Sequence, residues 1–256
     1  MEFQDIIYSK ENGVGKVIIN RPQFYNAFRT HTLKEICSAL EDAELDPDIR
    51  VVVLRGSGDK AFCTGGDVQE AKGGGYEKEM DYWHTKVHHM IRALTRPVIA
   101  AVNGWAIGGG HILHIICDLS IAADTAKFGQ AGPRVGSFDA GFGASYLARV
   151  VGEKKAREIW FLCRTYTAQE ALEMKLVNKV VPLEKLDGEV EKWCNEIKEL
   201  SPYAIRFLKH AFNADTDHIS GFETMSMAAV RLFWGTEEAK CYKEMFLNKR
   251  KGGKGA

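Results

Sequence analysis

Hydrophobic residues in the first half of the chain follow two alternating patterns. Residues 51–54 and 97–102 are short, almost wholly apolar runs, which are typical of strands buried on both faces of a sheet. Residues 30–45 and 80–94 place apolar side chains every three or four positions, which predicts amphipathic helices. Strands that alternate with helices predict an α/β fold. The same reasoning predicts further strands at 17–19 and 119–122 and a helix at 111–117.

The second half of the sequence is predominantly helical, and capping residues mark two helix starts. Thr167 and Glu170 form a Thr-x-x-Glu capping box, in which each side chain accepts a hydrogen bond from the other residue's backbone N–H. Ser201 followed by Pro202 places a favourable N-cap before a proline at the first helical position. We place a soft domain boundary near residue 200, ahead of this last helical region.

Composition and charge narrow the classes of function. Hydrophobic residues make up 45% of the 256 residues and charged residues 27%, as in an ordinary globular protein. Lys plus Arg and Asp plus Glu number 34 each, so no global field favours nucleic acid or an anionic membrane as a partner. The six cysteines are scattered without a C-x-x-C pair, which argues against a zinc site or a disulfide framework. The sequence opens without a secretory-signal pattern and has no apolar run of about 20 residues, so a cytoplasmic protein is expected.

Two glycine clusters that follow strands are the first candidates for chemistry. Gly65 and Gly66 lie in A-F-C-T-G-G-D, and residues 108–110 form a Gly-Gly-Gly triplet ahead of a helix. Glycine lets the backbone approach a ligand closely, and the first N–H groups of a helix are unpaired. Two such amides could together stabilise an oxyanion or an enolate. Each cluster alone could equally be a tight turn, and the triplet could be a nucleotide-phosphate loop, although it lacks the G-x-G-x-x-G spacing.

Several other polar side chains are weaker candidates. Asp139 lies in a largely apolar, glycine-rich loop, where a raised pKa would suit a general acid or base; the alternative is a helix N-cap or turn aspartate. Tyr76 follows Lys-Gly-Gly-Gly and either closes over a substrate or is simply exposed. His84, His88 and His89 cluster on one predicted helix, but no carboxylate stands at ligand spacing, so we predict no metal.

Longer motifs around the two glycine clusters narrow the choice between these interpretations. They are N-R-P at 20–22, K-A-F-C-T-G-G-D at 60–67, P-V-I-A-A-V-N-G at 97–104, the triplet at 108–110 and C-D at 117–118. In these motifs, which are spread over essentially the whole chain, the sequence resembles the crotonase (enoyl-CoA hydratase/isomerase) superfamily. The resemblance implies an α/β fold, with a ClpP-like ββα spiral over residues 1–200 and a C-terminal helical oligomerisation region over 201–256. It also implies coenzyme A thioester substrates, no tightly bound cofactor, and a homotrimer or homohexamer.

The resemblance assigns individual residues to the thioester. Gly66 and Gly109 fall on the two positions whose backbone N–H groups form the family's oxyanion hole. Arg29, in N-A-F-R, resembles an arginine that contacts coenzyme A. Further positions expected to border the coenzyme A or acyl group are Ala27, Lys60, Gly65, Asp67, Tyr76, Gln130, Gly132, Phe142 and Trp234.

The acid–base residues depart from the ordinary hydratase pattern. Typical hydratases of the family carry one glutamate at the position of Ile112 and a second at that of Gly132, and this sequence has neither. The loop F-G-Q-A-G-P-R-V-G-S-F-D at 128–139 instead resembles 1,4-dihydroxy-2-naphthoyl-CoA synthases and 2-ketocyclohexanecarboxyl-CoA hydrolases. In that branch an aspartate at the position of Asp139 handles protons, helped by a serine at that of Ser137.

Two further departures bear on the reaction. Some members of the branch hold bicarbonate as a base beside a glutamine, where a glycine makes room. Gln130 and Gly132 match that pattern, but Phe142 stands at the accompanying tryptophan position, which leaves bicarbonate as a possible cofactor. The synthases also use a tyrosine donated by a neighbouring subunit. This chain has Trp234 at that position, and an indole N–H cannot cycle a phenolic proton.

These observations predict an acyl-CoA enzyme that adds water to a bulky cyclic or aromatic acyl group through an enolate, in aromatic or alicyclic acid degradation. The water chemistry would be either hydrolytic opening of a β-keto ring thioester or hydration of an enoyl-CoA. One alternative is a 1,4-dihydroxy-2-naphthoyl-CoA synthase of menaquinone biosynthesis. Another, of a different class, is a non-catalytic acyl-CoA-binding subunit, because both usual glutamates are missing.

Overall fold

Ten strands and ten helices make up the part of the chain that the computed structural model describes, residues 2–67, 70 and 78–252. The strands are β1 (Ile6–Glu11), β2 (Val14–Ile19), β3 (Val51–Gly56), β4 (Ala61–Cys63), β5 (Val98–Val102), β6 (Trp105–Ile107), β7 (Leu119–Ala123), β8 (Lys127–Gly129), β9 (Thr165–Thr167) and β10 (Lys179–Val181). The helices are α1 (Thr30–Leu45), α2 (Lys78–Ala93), α3 (Gly109–Ile115), α4 (Leu147–Val151), α5 (Glu153–Leu162), α6 (Ala168–Glu173), α7 (Leu186–Lys198), α8 (Pro202–Ala214), α9 (Ile219–Trp234) and α10 (Glu237–Gly252).

The strands form two sheets that grow together along the chain. The larger has the order β1-β2-β3-β5-β7-β10 and is parallel except where β1 pairs with β2. The smaller has the order β4-β6-β8-β9, with β4, β6 and β8 parallel. Each of β4, β6 and β8 directly follows a strand of the larger sheet, so two strands and a helix repeat as a unit. This architecture confirms the predicted α/β spiral of ββα turns.

The apolar strand runs are explained by burial on both faces of the larger sheet. Val52 and Leu54 of β3 face the main core, which also contains side chains of α1, α2 and α3. Val51 and Val53 face a second cluster, which is closed by α7. Because successive side chains of a strand point to opposite faces, a strand covered on both sides needs apolar residues at every position.

The predicted elements are present, with small shifts at their ends. Helix α1 spans the residues predicted for it, and α2 begins and ends within two residues of prediction. Helix α3 begins at Gly109, two residues earlier than predicted, because the glycine triplet itself forms the first turn. The three-residue strands of the smaller sheet were not predicted, since so short a segment has no measurable period.

Both predicted N-caps are confirmed. Thr167 Oγ1 accepts a hydrogen bond from the Glu170 N–H at 3.2 Å, and the Glu170 carboxylate accepts one from the Thr167 N–H at 2.7 Å. Ser201 Oγ accepts one from the Ala204 N–H at 3.3 Å, with Pro202 in the first turn.

The C-terminal helices fold back toward the spiral. The predicted boundary near residue 200 falls between α7 and α8. Helix α9 packs on a single π-helical turn, Gly141–Tyr146, and α10 packs on the 3-10 turn Gly132–Val135. None of the helices in the described residues is both long and apolar enough to cross a membrane.

Candidate active site

The first glycine cluster is held against the segment before α1 by a short parallel pairing. The Phe28 N–H donates to the Gly65 carbonyl at 2.9 Å, and the Asp67 N–H donates to the Phe28 carbonyl at 2.8 Å. This pairing uses the groups on either side of Gly66 and leaves the N–H of Gly66 pointing away from Phe28. Gly66 itself lies in the wall of a large cavity.

The second cluster meets the first at the start of α3. Gly109 is the first residue of that helix, so its N–H has no acceptor within the helix. A Cβ on Gly65, whose φ is +85°, would lie only 3.0 Å from the Gly109 nitrogen. Gly109 also lines the cavity. The fold therefore brings the two predicted N–H donors to one wall, where a single oxygen could accept hydrogen bonds from both.

The cavity has a volume of about 1180 Å³, and its wall includes residues of α2, α3 and α5 together with four other parts of the chain. These are the segment before α1, the two glycine turns, the loop before the π-helical turn, and the helices α9 and α10. Aromatic and aliphatic side chains dominate its wall, including Phe28, Ile112, Phe138, Trp160 and Trp234. A largely apolar wall strengthens electrostatic interactions relative to those in bulk water.

The surroundings of Asp139 agree with both interpretations of its sequence position, a turn-capping aspartate and a general acid or base. Its Oδ1 accepts a hydrogen bond from the Gly143 N–H at 3.0 Å, so one oxygen caps the π-helical turn. Its Oδ2 is buried and has no hydrogen-bond partner among the described residues. The residue is 7% exposed and lines the cavity. One oxygen therefore fixes the side chain while the other is available for proton transfer.

The surroundings of Asp139 favour its neutral form. Burial, reinforced by the negative charge of Glu223, raises the pKa of the Asp139 carboxyl to about 7, while the His88 imidazole and the Gly143 N–H oppose the shift. A carboxyl with a pKa near 7 can both donate and accept a proton at neutral pH. The sequence-based expectation of a raised pKa is thus met, with Glu223 as an additional cause.

The predicted glutamate positions hold no acid. Ile112 presents an aliphatic side chain to the cavity. A Cβ on Gly132 would lie 2.7 Å from the Ser137 carbonyl oxygen and 2.9 Å from the Trp160 ring, so this glycine is required by packing. The Trp160 indole N–H donates to the Gly143 carbonyl at 2.6 Å.

This packing is a poor fit for bicarbonate at the predicted place. The direction in which a side chain would leave Gly132 is filled by Ser137 and Trp160. Gln130 Nε2 lies 3.1 Å from His111 Nδ1, so the amide is already engaged. Phe142 is 1% exposed and lies within the core. We therefore derive no step through bicarbonate.

Most of the predicted binding residues are brought together, and three are not. Those that line the cavity, besides Gly66, Gly109, Ser137 and Asp139, are Ala27, Gly65, Asp67, Gln130, Gly132 and Trp234. Arg29, Lys60 and Phe142 lie outside the cavity wall formed by the described residues. Tyr76 lies outside the described residues.

Local contacts explain where the charged residues of this group lie. The Arg29 guanidinium donates to both oxygens of Asp5, at 2.7 and 2.9 Å, which directs it away from the cavity. Asp67 Oδ2 accepts a hydrogen bond from Arg21 at 2.8 Å, and both side chains are buried. Asp67 therefore helps to hold the first glycine turn in place. Lys60 is exposed at the turn before β4.

Trp234 reaches the cavity from its own chain. It ends α9, and Lys240 and Lys243 of α10 line the same cavity beside it. The resemblance placed the equivalent residue on a neighbouring subunit, whereas here the fold-back of α9 and α10 supplies it within the chain.

One buried side chain at this site, Glu223, was not predicted, because it is distant in sequence from the residues it contacts. Glu223, on α9, accepts a hydrogen bond from His88 Nδ1 at 3.0 Å and one from the Phe142 N–H at 3.2 Å. His84 lines the cavity, and its ring centroid is 4.1 Å from that of His88. The only sign in the sequence was the pair of glycines Gly141 and Gly143. A Cβ on Gly141 would meet Glu223, and a Cβ on Gly143 would meet Asp139.

These residues also form the one group in the described residues that could hold a metal ion. Ligand atoms of His84, His88 and Glu223 lie within 4.8 Å of one another. The sequence has no carboxylate at metal-ligand spacing from these histidines. In the fold, the Glu223 carboxylate lies beside His88 although the two residues are 135 positions apart. Burial lowers the pKa of His84 to about 3 and that of His88 to about 4, so both rings are neutral.

Comparison with known proteins agrees with this architecture. The family model described as enoyl-CoA hydratase/isomerase matches residues 9–253. An enoyl-CoA hydratase from Mycobacterium avium subsp. paratuberculosis K-10 is 26% identical, with a TM-score of 0.87 over 95% of this chain and 99% of that one. An enoyl-CoA hydratase from Bacillus anthracis is 29% identical, with a TM-score of 0.78 over 96% of this chain and 97% of that one.

A structure described as an enoyl-CoA hydratase/carnithine racemase, from Magnetospirillum magneticum, is 32% identical, with a TM-score of 0.78 over 84% of this chain and 82% of that one. The family match covers nearly all of the chain, and the glycine turns that it contains form the wall of the cavity. The chain belongs to the enoyl-CoA hydratase/isomerase family, whose members act on acyl-CoA thioesters.

Proposed function

We propose that this enzyme holds a thioester enolate between the N–H groups of Gly66 and Gly109 and adds water to a bulky cyclic or aromatic acyl-CoA. The observation that carries this proposal is the placement of Asp139. Asp139 lines a cavity in which both usual glutamate positions, Ile112 and Gly132, hold no acid, and its buried Oδ2 has no hydrogen-bond partner in the described residues. Asp139 is then the acid–base group that handles the substrate's proton.

The proposed mechanism follows from charge development in the transition state. The thioester carbonyl oxygen accepts hydrogen bonds from Gly66 and Gly109, which stabilise the negative charge as the enolate forms. In a largely apolar wall, such donors are worth more than they are in water. Asp139 exchanges a proton with the enolate carbon, and Ser137 lies beside it in the cavity wall.

Two features of the cavity support a bulky acyl group and water chemistry. A cavity of about 1180 Å³ with aromatic residues in its wall suits a ring better than a short chain. Trp234 stands where ring closure would use a tyrosine, and its indole offers only a donor. We therefore propose ring-opening hydrolysis or enoyl-CoA hydration, in the degradation of aromatic or alicyclic acids.

The test is turnover of three candidate substrates followed by mass spectrometry. The purified protein is mixed separately with 2-ketocyclohexanecarboxyl-CoA, phenylitaconyl-CoA and o-succinylbenzoyl-CoA. A gain of one water with the first or the second supports the proposal. Loss of water from the third overturns it in favour of the synthase reaction.

The 1,4-dihydroxy-2-naphthoyl-CoA synthase reaction is the second candidate, and the loop at 128–139 favours it. That loop supplies Gln130, Ser137 and Asp139 to the cavity, in the pattern of the synthase branch. A non-catalytic acyl-CoA-binding subunit is less well supported, since a buried carboxyl with one unpartnered oxygen costs stability that a binding protein has no reason to retain. Binding of all three esters without turnover of any would favour it.

A further inference from the structure

Two histidines of α2 and one glutamate of α9 meet where the two helices pack together. His84 and His88 are four positions apart, so their side chains project from the same face of α2. Their ring centroids are 4.1 Å apart, and Glu223 Oε1 accepts a hydrogen bond from His88 Nδ1 at 3.0 Å. One nitrogen of each ring and one carboxylate oxygen lie within 4.8 Å of one another. The three side chains therefore converge on one small volume.

We propose that His84, His88 and Glu223 bind one Zn²⁺ ion, which holds α9 against α2 beside the cavity. The sequence predicts no metal because no carboxylate stands near the histidines along the chain, and the fold supplies Glu223. The ion takes no part in the proposed reaction, which needs no tightly bound cofactor. The inference is therefore independent of the proposed function.

Glu223 is a buried acidic residue without a lysine or arginine partner. Its side chain is fully buried, and in the described residues its salt-bridge partner is His88. The other contact of its carboxylate is the Phe142 N–H, at 3.2 Å. Buried carboxylates are paired with a cation or bound to a metal ion, because an uncompensated charge is costly to remove from water. A divalent ion between Glu223 and the imidazoles supplies the missing positive charge.

Both histidine rings have a nitrogen that the protein leaves unpaired. His84 Nδ1 and His88 Nε2 are buried and have no hydrogen-bond partner in the described residues. A neutral imidazole carries one free nitrogen lone pair, which accepts a hydrogen bond or binds a metal ion. Polar atoms buried without a partner cost free energy, and a bound ion is one of the usual reasons for finding them.

The spacing of the donor atoms fits a zinc ion after a small adjustment. Bonds from zinc to nitrogen and oxygen are about 2.0–2.2 Å, so two donors of a tetrahedral ion are roughly 3.3–3.5 Å apart. His88 Nδ1 and Glu223 Oε1 are 3.0 Å apart, and no separation in the group exceeds 4.8 Å. Side-chain rotation of His84 and Glu223 closes a gap of about 1.5 Å, the largest that tetrahedral spacing requires.

The donor set favours zinc over the hard cations. Mg²⁺ and Ca²⁺ prefer oxygen ligands, whereas two imidazoles and one carboxylate are typical ligands of zinc. Three protein ligands leave the fourth tetrahedral position to water. His84 belongs both to this group and to the cavity wall, so the ion would lie next to the substrate site.

Aromatic side chains enclose the group. The Phe142 ring contacts His88 edge-on with centroids 5.9 Å apart, and the Phe28 ring lies 5.6 Å from that of His84. A Cβ on Gly141 would overlap the Glu223 carboxylate, so only glycine lets α9 come this close. An apolar shell of this kind limits the access of solvent to a bound ion. The ion would link the C-terminal helices to the spiral at a protected position.

Zinc binding is measured on the full-length protein, purified without a histidine tag. Protein that has been treated with a chelator and then freed of it is titrated with Zn²⁺ by calorimetry. Titration with Co²⁺, followed by visible absorption, reports the coordination geometry. We expect one ion per chain, and a higher temperature of thermal unfolding with Zn²⁺ than without it, because the ion binds the folded state.

The decisive variant is His84→Gln, which removes one ligand that has no other partner at Nδ1. We expect its affinity for Zn²⁺ to fall at least about 100-fold, together with the gain in unfolding temperature. The matched control is His210→Gln, at an exposed position of α8, which should bind Zn²⁺ as the wild type does. Circular dichroism shows whether each variant is folded.

A second variant, Glu223→Gln, tests the carboxylate, and a fall in affinity of at least tenfold is expected. If this variant does not fold, the comparison of His84→Gln with His210→Gln decides alone. A wild-type protein that binds neither Zn²⁺ nor Co²⁺ overturns the inference. Equal affinity in wild type and His84→Gln also overturns it, because the ion would then bind elsewhere, as at the exposed Cys241. Absence of turnover with every acyl-CoA would count against the proposed function and leave this inference standing.

Discussion

Asp139 uses its two carboxyl oxygens for different purposes. Oδ1 accepts a hydrogen bond from the Gly143 N–H and fixes the side chain at the start of the π-helical turn, while Oδ2 is buried without a partner in the described residues. A catalytic group must be held in one orientation and also have a free atom at the substrate. In the proposed mechanism one carboxyl meets both requirements, because it has two acceptor oxygens.

Replacing Asp139 by asparagine should abolish turnover without weakening binding. Asparagine keeps an oxygen for the Gly143 N–H but cannot donate or accept a proton at neutral pH. We expect the affinity for a CoA ester to stay within a few fold of wild type, since in the proposed mechanism Gly66 and Gly109 hold the thioester. Calorimetric titration and steady-state kinetics measure the two properties separately. Full activity in this variant would remove Asp139 from the mechanism.

The Gly65→Ala substitution tests the oxyanion hole through its geometry. The added Cβ would lie 3.0 Å from the Gly109 nitrogen and 3.3 Å from the Ile107 carbonyl oxygen, so the Gly109 N–H must move. We expect kcat/KM to fall about 100-fold or more, the usual cost of losing one donor.

The control for Gly65→Ala is Gly152→Ala. Gly152 has a similar φ of +82°, but a Cβ there meets nothing within 4 Å. Both variants carry the backbone strain of alanine at positive φ, and only the first disturbs the site. Equal losses of kcat/KM in the two folded variants would assign the effect to strain.

At the scale of elements, helix α9 contributes residues to the site although it is far in sequence from the two glycine turns. It packs on the π-helical turn, where Glu223 accepts a hydrogen bond from the Phe142 N–H, and it supplies Trp234 to the cavity wall. The spiral by itself provides the N–H donors, and a helix from the C-terminal region provides the electrostatic environment. The two regions of the chain therefore form one site.

The end of α6 carries a measurable backbone strain. Lys175 adopts a φ of +63°, a left-handed conformation that glycine adopts without cost. We expect Lys175→Gly to raise the free energy of unfolding by about 0.5–1 kcal/mol, because relief of strain exceeds the added freedom of the unfolded chain. Chemical denaturation measures this change. Lys192→Gly, within α7, should instead lower it by about 1 kcal/mol. A loss of stability in both would show that Lys175 makes contacts that outweigh its strain.

At the scale of the whole molecule, buried neutral histidines make stability depend on pH. Burial lowers the pKa of His111 to about 3, close to that of His84, and lowers that of His114 well below its usual range. The unfolded chain binds protons at these groups below about pH 6.5, and the folded protein does not. Stability is therefore present above pH 6.5 and is lost as the pH falls toward 3. Asp139 acts in the opposite sense, since its raised pKa favours the folded state at low pH.

We expect the free energy of unfolding to fall between pH 6.5 and pH 5 by up to about 1.4 kcal/mol per pH unit for each such histidine. Urea denaturation at several pH values measures this slope. His114→Gln should remove the contribution of one histidine from this slope, and substitution of the exposed His210 by Gln should leave the slope unchanged. Stability that rises as the pH falls from 6.5 would contradict the prediction.

Exposed apolar side chains on the C-terminal helices support the proposal of a homotrimer or homohexamer. Phe207 and Phe212 of α8 and Leu232 of α9 are 69%, 76% and 79% exposed. Light scattering should give three or six times the chain mass of 28.6 kDa. Phe212→Glu should lower that mass, because a charge cannot be buried in an apolar interface. A monomeric wild-type protein would contradict the proposal.

The sequence by itself determined the repeated strands and helices and the two glycine turns. These depend on local order: apolar runs, helical periodicity, and glycines that leave backbone N–H groups accessible. Only the tertiary structure decided that Gly66 and Gly109 share one wall, that Arg29 is held by Asp5, and that Glu223 contacts the turn that follows Asp139. Contacts across tens to hundreds of residues leave no periodic signal, because packing and burial, not spacing along the chain, bring such groups together.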